Sequence, residues 1–343
     1  TDGVYIYDKN GFLVPRGTGN GNLANNYEDD NIEGFFQTAV STTNSVSVSG
    51  GGEYASFRFS ASSLDANGII PNEEYDRKTF KLSSNLQATD KLNFSGSINY
   101  TRSDFVRVQQ GSNTSGLLLG MLRTPASFDN ANGFSPEDAV DDPSSYIFPN
   151  GRQRNYRGGG GYDNPYWTVN NTLRDQYVDR IFGSFQVNYS VSNWLNFGLN
   201  VGTDFTSDVR KQNFEVNSRT APAGRIIQDE WTTNLTDLYF NITGAGDLNE
   251  DFNFNYLAGL NMTSYNRHNM FTRGDNLIFQ GFVDISNAAT VIAEEDNSRY
   301  RSLGFYGQAE GSWRNTIFLT LSARQDYDSR LGVPNDFSVS DIG

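Results

Sequence analysis

The chain has 343 residues and a formal net charge of -14, with 36% hydrophobic residues, 25 Phe, 18 Tyr, 34 Gly and no Cys. Without cysteine there are no disulfide scaffolds, thiol nucleophiles or zinc–thiolate sites, and acidity dispersed along the chain with no basic stripe excludes nucleic acid as a partner. The longest strongly apolar run, Leu117 to Leu122 interrupted by Gly120, is far short of the roughly 20 residues of a spanning helix, which excludes membrane helices but not membrane strands of about 9 to 11 residues.

The opening Thr1-Asp2-Gly3-Val4-Tyr5 lacks a basic region followed by an apolar core, so the numbering is expected to start inside a longer protein. Strict alternation then marks strands with one apolar and one polar face. The first candidates are Ser45 to Gly50, Tyr54 to Ser62 and Lys78 to Gln87. From Leu92 the apolar set is Leu92, Phe94, Gly96, Ile98 and Tyr100, against Asn93, Ser95, Ser97, Asn99 and Thr101. The pattern returns at Ile181 to Tyr189, Leu195 to Gly202, Leu235 to Ala245, Phe252 to Met262, Leu303 to Ala309 and Ile317 to Ala323. The expectation is about ten strands, several longer than the usual 5 to 6 residues.

The connections alternate in length. Gly50-Gly51-Gly52-Glu53, Thr89-Asp90-Lys91, Ser192-Asn193, Asn249-Glu250-Asp251 and Arg314-Asn315 read as tight turns, whereas 63–77, 103–177, 217–225 and 266–299 read as long connections. Short turns on one rim and long loops on the other are the layout of an outer-membrane barrel. Tyr100, Tyr189, Trp194, Phe252, Tyr265 and Trp313 fall near strand ends, where an interfacial aromatic girdle is expected; cross-strand packing in a soluble sandwich is the plainer alternative.

The longest connection contains a short apolar segment from Ser115 to Leu122, expected to form one or two helical turns. It also holds Pro125, Pro136, Pro143, Pro149 and Pro165, a glycine run at Gly158 to Gly161, and the cluster Tyr162-Asp163-Asn164-Pro165-Tyr166-Trp167. Unstructured loops beyond about 12 to 15 residues are generally functional or disordered, and this one is expected to fold over something.

Several words in order now resemble the SusC/RagA family of TonB-linked transporters. Phe36-Gln37-Thr38-Ala39, Asn44-Ser45-Val46-Ser47-Val48-Ser49-Gly50-Gly51, Gly68-Ile69-Ile70-Pro71-Asn72 and Tyr75-Asp76-Arg77 carry the resemblance first. Asn164-Pro165-Tyr166-Trp167 with Asn170-Asn171 and Asp179-Arg180 continue it, followed by Ser302 to Gln308 and Leu319 to Ser329. It covers about residues 34 to 331. Gln325-Asp326-Tyr327-Asp328 departs from the family pattern, and residues 1 to 33 match nothing.

The resemblance implies an all-β fold, a transmembrane antiparallel β-barrel of 22 strands with a plugged lumen, of which this chain is an internal piece. Its organisation would be 1–43 extracellular loop and strand entry, 44–102 strands, 103–177 long extracellular loop, 178–330 strands with long extracellular loops, and 331–343 the start of the next loop. The plug domain and TonB-contacting segment would lie outside the chain. The resemblance further implies active import across the outer membrane of a Gram-negative bacterium, with a SusD-like surface lipoprotein as lid, the TonB system as energy source, outer-membrane lipid around the barrel and an oligosaccharide or peptide as cargo. The alternative is a scaffold subunit of a larger outer-membrane assembly.

Enzyme chemistry finds no support in these residues. His268 is the only histidine and falls in an expected external loop, which removes His-based triads and multi-histidine metal sites. Asp8-Lys9-Asn10-Gly11, Asp65-Ala66-Asn67-Gly68 and Asp129-Asn130-Ala131-Asn132-Gly133 lack calcium-loop spacing and read as Asx-type turns. The glycine run opens no phosphate-binding helix and reads as a hinge. No catalytic residue, metal or cofactor is expected. The substrate contacts named from the sequence are Tyr162, Tyr166 and Trp167, whose rings suit sugar faces or peptide side chains; the plainer reading is that they anchor the loop to the wall.

Overall fold

The computed structural model describes residues 5–7, 13–15, 17–18, 30–109, 111, 113–126, 128, 130, 146–147, 152–157, 161–192 and 194–331. Asp8 to Gly11, Asp129, residues 131–133, Pro136, Pro143, Pro149 and Gly158 to Gly160, all singled out above, lie outside the described residues, as do Thr1 to Val4, Asn193 and 332–343.

A small hairpin joins β1 (Tyr5–Tyr7) to β2 (Leu13–Pro15), and a single helical turn, α1, covers Asp30–Glu33. The main sheet then runs as β3 (Ser41–Gly51), β4 (Ala55–Asn67), β5 (Glu74–Thr89), β6 (Leu92–Val108), β7 (Leu173–Ser192), β8 (Leu195–Phe214), β9 (Arg225–Asn249), β10 (Phe252–Leu277), β11 (Ala288–Trp313) and β12 (Ile317–Asp328). Between β6 and β7 lie α2 (Leu117–Arg123) and α3 (Pro165–Asn171). The ten strands form one antiparallel meander in chain order, and its edges, β3 and β12, do not pair with each other. The fold is all-β, and the sheet is an open sector of a barrel.

The register separates two faces across all ten strands. Phe94 pairs with Val187 and Leu86, Val187 with Leu199, Leu199 with Phe240, Phe240 with Leu260, Leu260 with Phe305. Alternation places each of these on one face, so a one-residue slip would bury the polar set there instead. The apolar band spans Leu92 to Tyr100 on β6, roughly 30 Å along the strand at the usual rise per residue. Many of its members are exposed, including Val46, Phe57, Leu82, Phe185, Phe305 and Leu321. The opposite face at the same level is mainly Asn, Ser, Gln and Thr, joined by Arg58, Lys81, Phe182, Tyr239 and Tyr306.

The strands run far past the band. β9 has 25 residues and β10 and β11 have 26 each, more than twice what a membrane crossing needs. This corrects the expected long connections: 63–77 shrinks to a turn at 68–73, 103–177 to 109–172, and 266–299 to 278–287, while 217–225 becomes 215–224. Beyond the band both faces turn polar, so the alternation signal vanishes while backbone pairing continues. For the same reason His268 lies within β10, where its Nε2 is 3.1 Å from Glu295 Oε1, and Asp65 to Asn67 belong to β4. The α2 helix falls where the apolar segment predicts it.

Four of the six expected girdle residues, Tyr100, Tyr189, Phe252 and Trp313, are on the apolar face, and Trp194 sits exposed in the β7–β8 turn. Tyr265 does not belong with them. It pairs with Tyr300 on the polar face, ring centroids 4.9 Å apart.

Candidate functional site

The long-loop end of the sheet carries a folded cap. Phe35, Val108, Leu117, Met121 and Val169 form its buried apolar cluster, with Phe36, Ile70, Tyr166 and Leu173 packed around them. The chain before β3, the β4–β5 turn, α2 and α3 thus close on one another through side chains that no single element could bury. Asn72, in left-handed backbone with φ 64°, reaches across this junction and donates from Nδ2 to the Val169 carbonyl at 2.9 Å. Beside the cluster, Ile70, Val108, Gln109, Asn113, Leu117 and Leu118 line a cavity of about 590 Å³, open to one side.

The polar half of the cap is built around the cluster read from the sequence. Asn164 caps α3 by accepting from the Tyr166 backbone N–H at 2.8 Å, with Pro165 in the first helical turn where its missing N–H costs nothing. Its Nδ2 donates to the carbonyls of Asn130, at 2.9 Å, and Arg154, at 2.8 Å. Its own N–H donates to Gln153 Oε1 at 2.7 Å, and Gln153 Nε2 donates in turn to the Asn217 carbonyl at 2.9 Å.

Asp163 completes the network. Its carboxylate accepts from Gln153 Nε2, from the Arg219 N–H at 2.7 Å and from the Ser218 hydroxyl at 2.9 Å. Burial pushes its carboxyl above the usual range, against the pull of those hydrogen bonds and of the Arg219 charge. The network latches the 109–172 loop to the 215–224 loop. Asn130, Gln153 and Ser218 are invisible to periodicity, because single polar residues in loops carry no repeat.

The structure separates the three sequence-named contacts. Trp167 is 1% exposed and its indole Nε1 has no hydrogen-bond partner among the described residues, so it presents no face to a ligand in this arrangement. Tyr166 is half-buried, edge-on to Phe35 at 5.0 Å. Tyr162 is also half-buried, clasped between the Arg123 guanidinium, 4.4 Å from its ring, and that of Arg157 at 5.0 Å. The cap holds all three within one loop, but two serve its packing.

A second set of rings lines the polar face of the sheet. Arg267 stands over Trp231 at 4.8 Å, Arg180 over Phe182 at 4.7 Å and Arg330 over Tyr300 at 4.1 Å. Such pairs offer flat apolar surface beside fixed positive charge. Counting by twos from Leu260 places Tyr265 on this face, and counting from Phe240 does the same for Trp231, so parity alone marks this wall in the sequence.

No family profile and no curated protein matches the sequence. Solved structures do match. The RagAB peptide transporter aligns at TM-score 0.70 and 15% identity over 90% of this chain and 34% of that one. The RagAB peptide importer in the closed-closed state aligns at 0.71 and 15% over the same shares, and its open-open state at 0.66 and 16% over 89% and 33%. The chain therefore has the barrel fold of these transporters and spans about a third of their length.

Proposed function

We propose that this chain is ten strands of the barrel of a SusC/RagA-type importer in the outer membrane of a Gram-negative bacterium. The observation that carries the reading is the continuous apolar band on one face, backed by a polar face, in strands that run well beyond it only toward the long loops. A band of this height matches the lipid-facing belt of an outer-membrane barrel, with short turns in the periplasm and long loops outside. The open edges at β3 and β12 are compatible with a barrel completed by strands outside this chain, since closure alone removes edges.

On this reading the remaining parts are a plug in the lumen, energy from the TonB system through a segment outside this chain, and a SusD-like lipoprotein over the external mouth. The cargo is a peptide or an oligosaccharide. The cap within 109–172 stands where a lid would meet the barrel, and Tyr162 and Tyr166 are half-exposed rings within it. Membrane lipid surrounds the apolar band.

The test is recovery of the full-length protein from outer membranes in mild detergent, with mass spectrometry of what accompanies it. One SusD-like lipoprotein and a bound peptide or glycan support the importer. Many assembly factors without a small molecule would overturn it in favour of a scaffold.

A further inference from the structure

Charge on the polar face is segregated along the sheet. On that face of β3 to β7 stand Arg58, Arg77, Lys81, Arg107, Arg174 and Arg180, and no Asp or Glu among the described residues. The acids of these five strands, such as Asp65, Asp76 and Asp104, all lie on the other face, level with or beyond the edge of the apolar band. From β8 onward the polar face regains carboxylates, beginning with Asp204 and Asp208.

The arginines behave differently in the two halves. On the polar face of β8 to β12 each one is matched: Arg210 with Asp208, Arg225 and Arg273 with Asp275, Arg267 with Asp296, and Arg324 with Asp326. On the polar face of β3 to β7 only Arg180 has a carboxylate partner among the described residues, and it borrows Asp204 from β8. In a chain of net charge -14 an acid-free cationic sector is not a consequence of composition.

Its densest point is at the mouth. Arg107 on β6 and Arg174 on β7 are direct cross-strand partners, and the Arg210 charge also bears on Arg174. Like charges set opposite each other in a sheet destabilise it. The Arg107 guanidinium lies 4.5 Å from the Phe105 ring, and Phe105 stacks on Tyr75 at 4.4 Å, which holds that arginine against an apolar wall. Two arginines paired across the strands place several guanidinium N–H donors at one level of this wall, a composition that suits bidentate capture of a carboxylate.

We propose that this sector, with Arg107 and Arg174 at its entrance, binds the carboxylates of acidic peptides and so sets cargo selectivity. The proposal rests on the importer reading and deepens it. The positive strip continues down the same face through Arg77 and Lys81 to Arg58, so an anionic cargo would meet unpaired cations from the mouth to the depth of the apolar band.

The test uses the full-length protein in detergent and three labelled peptides of one length. One is Asp-rich, one carries Asn in place of each Asp, and one is Asp-rich with an amidated C-terminus. The expected result is preferential binding of both Asp-rich peptides, weakened as salt rises, and a loss of about tenfold or more for them in the double variant Arg107→Gln, Arg174→Gln, with the Asn peptide unchanged. Weaker binding of the amidated Asp-rich peptide than of the Asn peptide would assign the capture to the terminal carboxylate and overturn selectivity for acidic side chains. Equal binding of Asp and Asn peptides by the unaltered protein overturns the proposal while leaving the importer reading intact, and that comparison needs no variant to fold. Binding of no peptide overturns both the selectivity and peptide as the cargo class.

Discussion

The Ser218 hydroxyl lies 2.9 Å from a carboxylate oxygen of Asp163, 55 residues away in sequence, and this contact joins the 109–172 loop to the 215–224 loop at the mouth. Burial raises the Asp163 carboxyl above its ordinary pKa, so folding favours its neutral form more than the unfolded chain does. A raised carboxyl contributes stability that is fully present below the ordinary carboxylate pKa and is lost as pH rises through the raised value. Limited proteolysis of the 109–172 loop should therefore accelerate as pH rises from the ordinary carboxylate pKa through the raised value of Asp163. Asp163→Asn, which cannot titrate, should flatten that dependence; an unchanged profile in the variant would sink the assignment.

Trp167 is the largest fully buried side chain in the cap. Trp167→Ala should cost about 3–5 kcal/mol of local stability through lost contacts and the cavity left behind. Trp167→Phe should cost much less, since the indole N–H it deletes has no partner among the described residues. Hydrogen exchange in α3, with the heat-dependent gel mobility of the barrel as control, separates the cap from the sheet. Equal effects of the two variants would contradict this packing.

Leu199 and Asn200 are neighbours on β8 that face opposite ways, Leu199 toward Phe240 and Asn200 toward Tyr239. Leu199→Arg should cost about 2–4 kcal/mol, as an arginine on the lipid face near the bilayer middle does. Asn200→Arg should cost far less. Denaturant unfolding in lipid vesicles reads the difference, and the reverse order would invert the two faces.

Tyr256 donates from its hydroxyl to the Trp194 carbonyl at 3.0 Å, across the short-turn rim. Gly244 makes this possible: an added Cβ there would collide with that carbonyl and with the Tyr256 ring. Gly244→Ala should displace Tyr256 and lower the melting temperature, whereas Gly311→Ala, with nothing within 4 Å of the new Cβ, should leave it unchanged. Matching melting curves for the two variants would refute the close approach.

Much of this was legible in advance where one physical signal repeats. Nine of the ten strands of the main sheet contain the segments marked by alternation, β4 begins one residue later than its segment at Tyr54, and α2 contains the apolar run beginning at Leu117. Tyr265 falls near an expected strand end, yet its odd number against Leu260 assigns it to the polar face, where it meets Tyr300. In the sequence an aromatic in a long loop such as Trp167 looks available to a ligand, and only the neighbours that cover it in the fold decide otherwise.

The sequence by itself determined the all-β class, the meander of strands and the two-faced character of each, because the pleat has a period of two and lipid and water sort side chains at that period. Only the tertiary structure decided how far the strands continue past the band, which loops latch together, and that Arg58, Arg77, Lys81, Arg107 and Arg174, from four strands, share one face. Those depend on register and on contacts such as Asp163 with Ser218 and Arg107 with Arg174, between residues many positions apart, and no local pattern in the chain encodes which distant partner a polar group will meet.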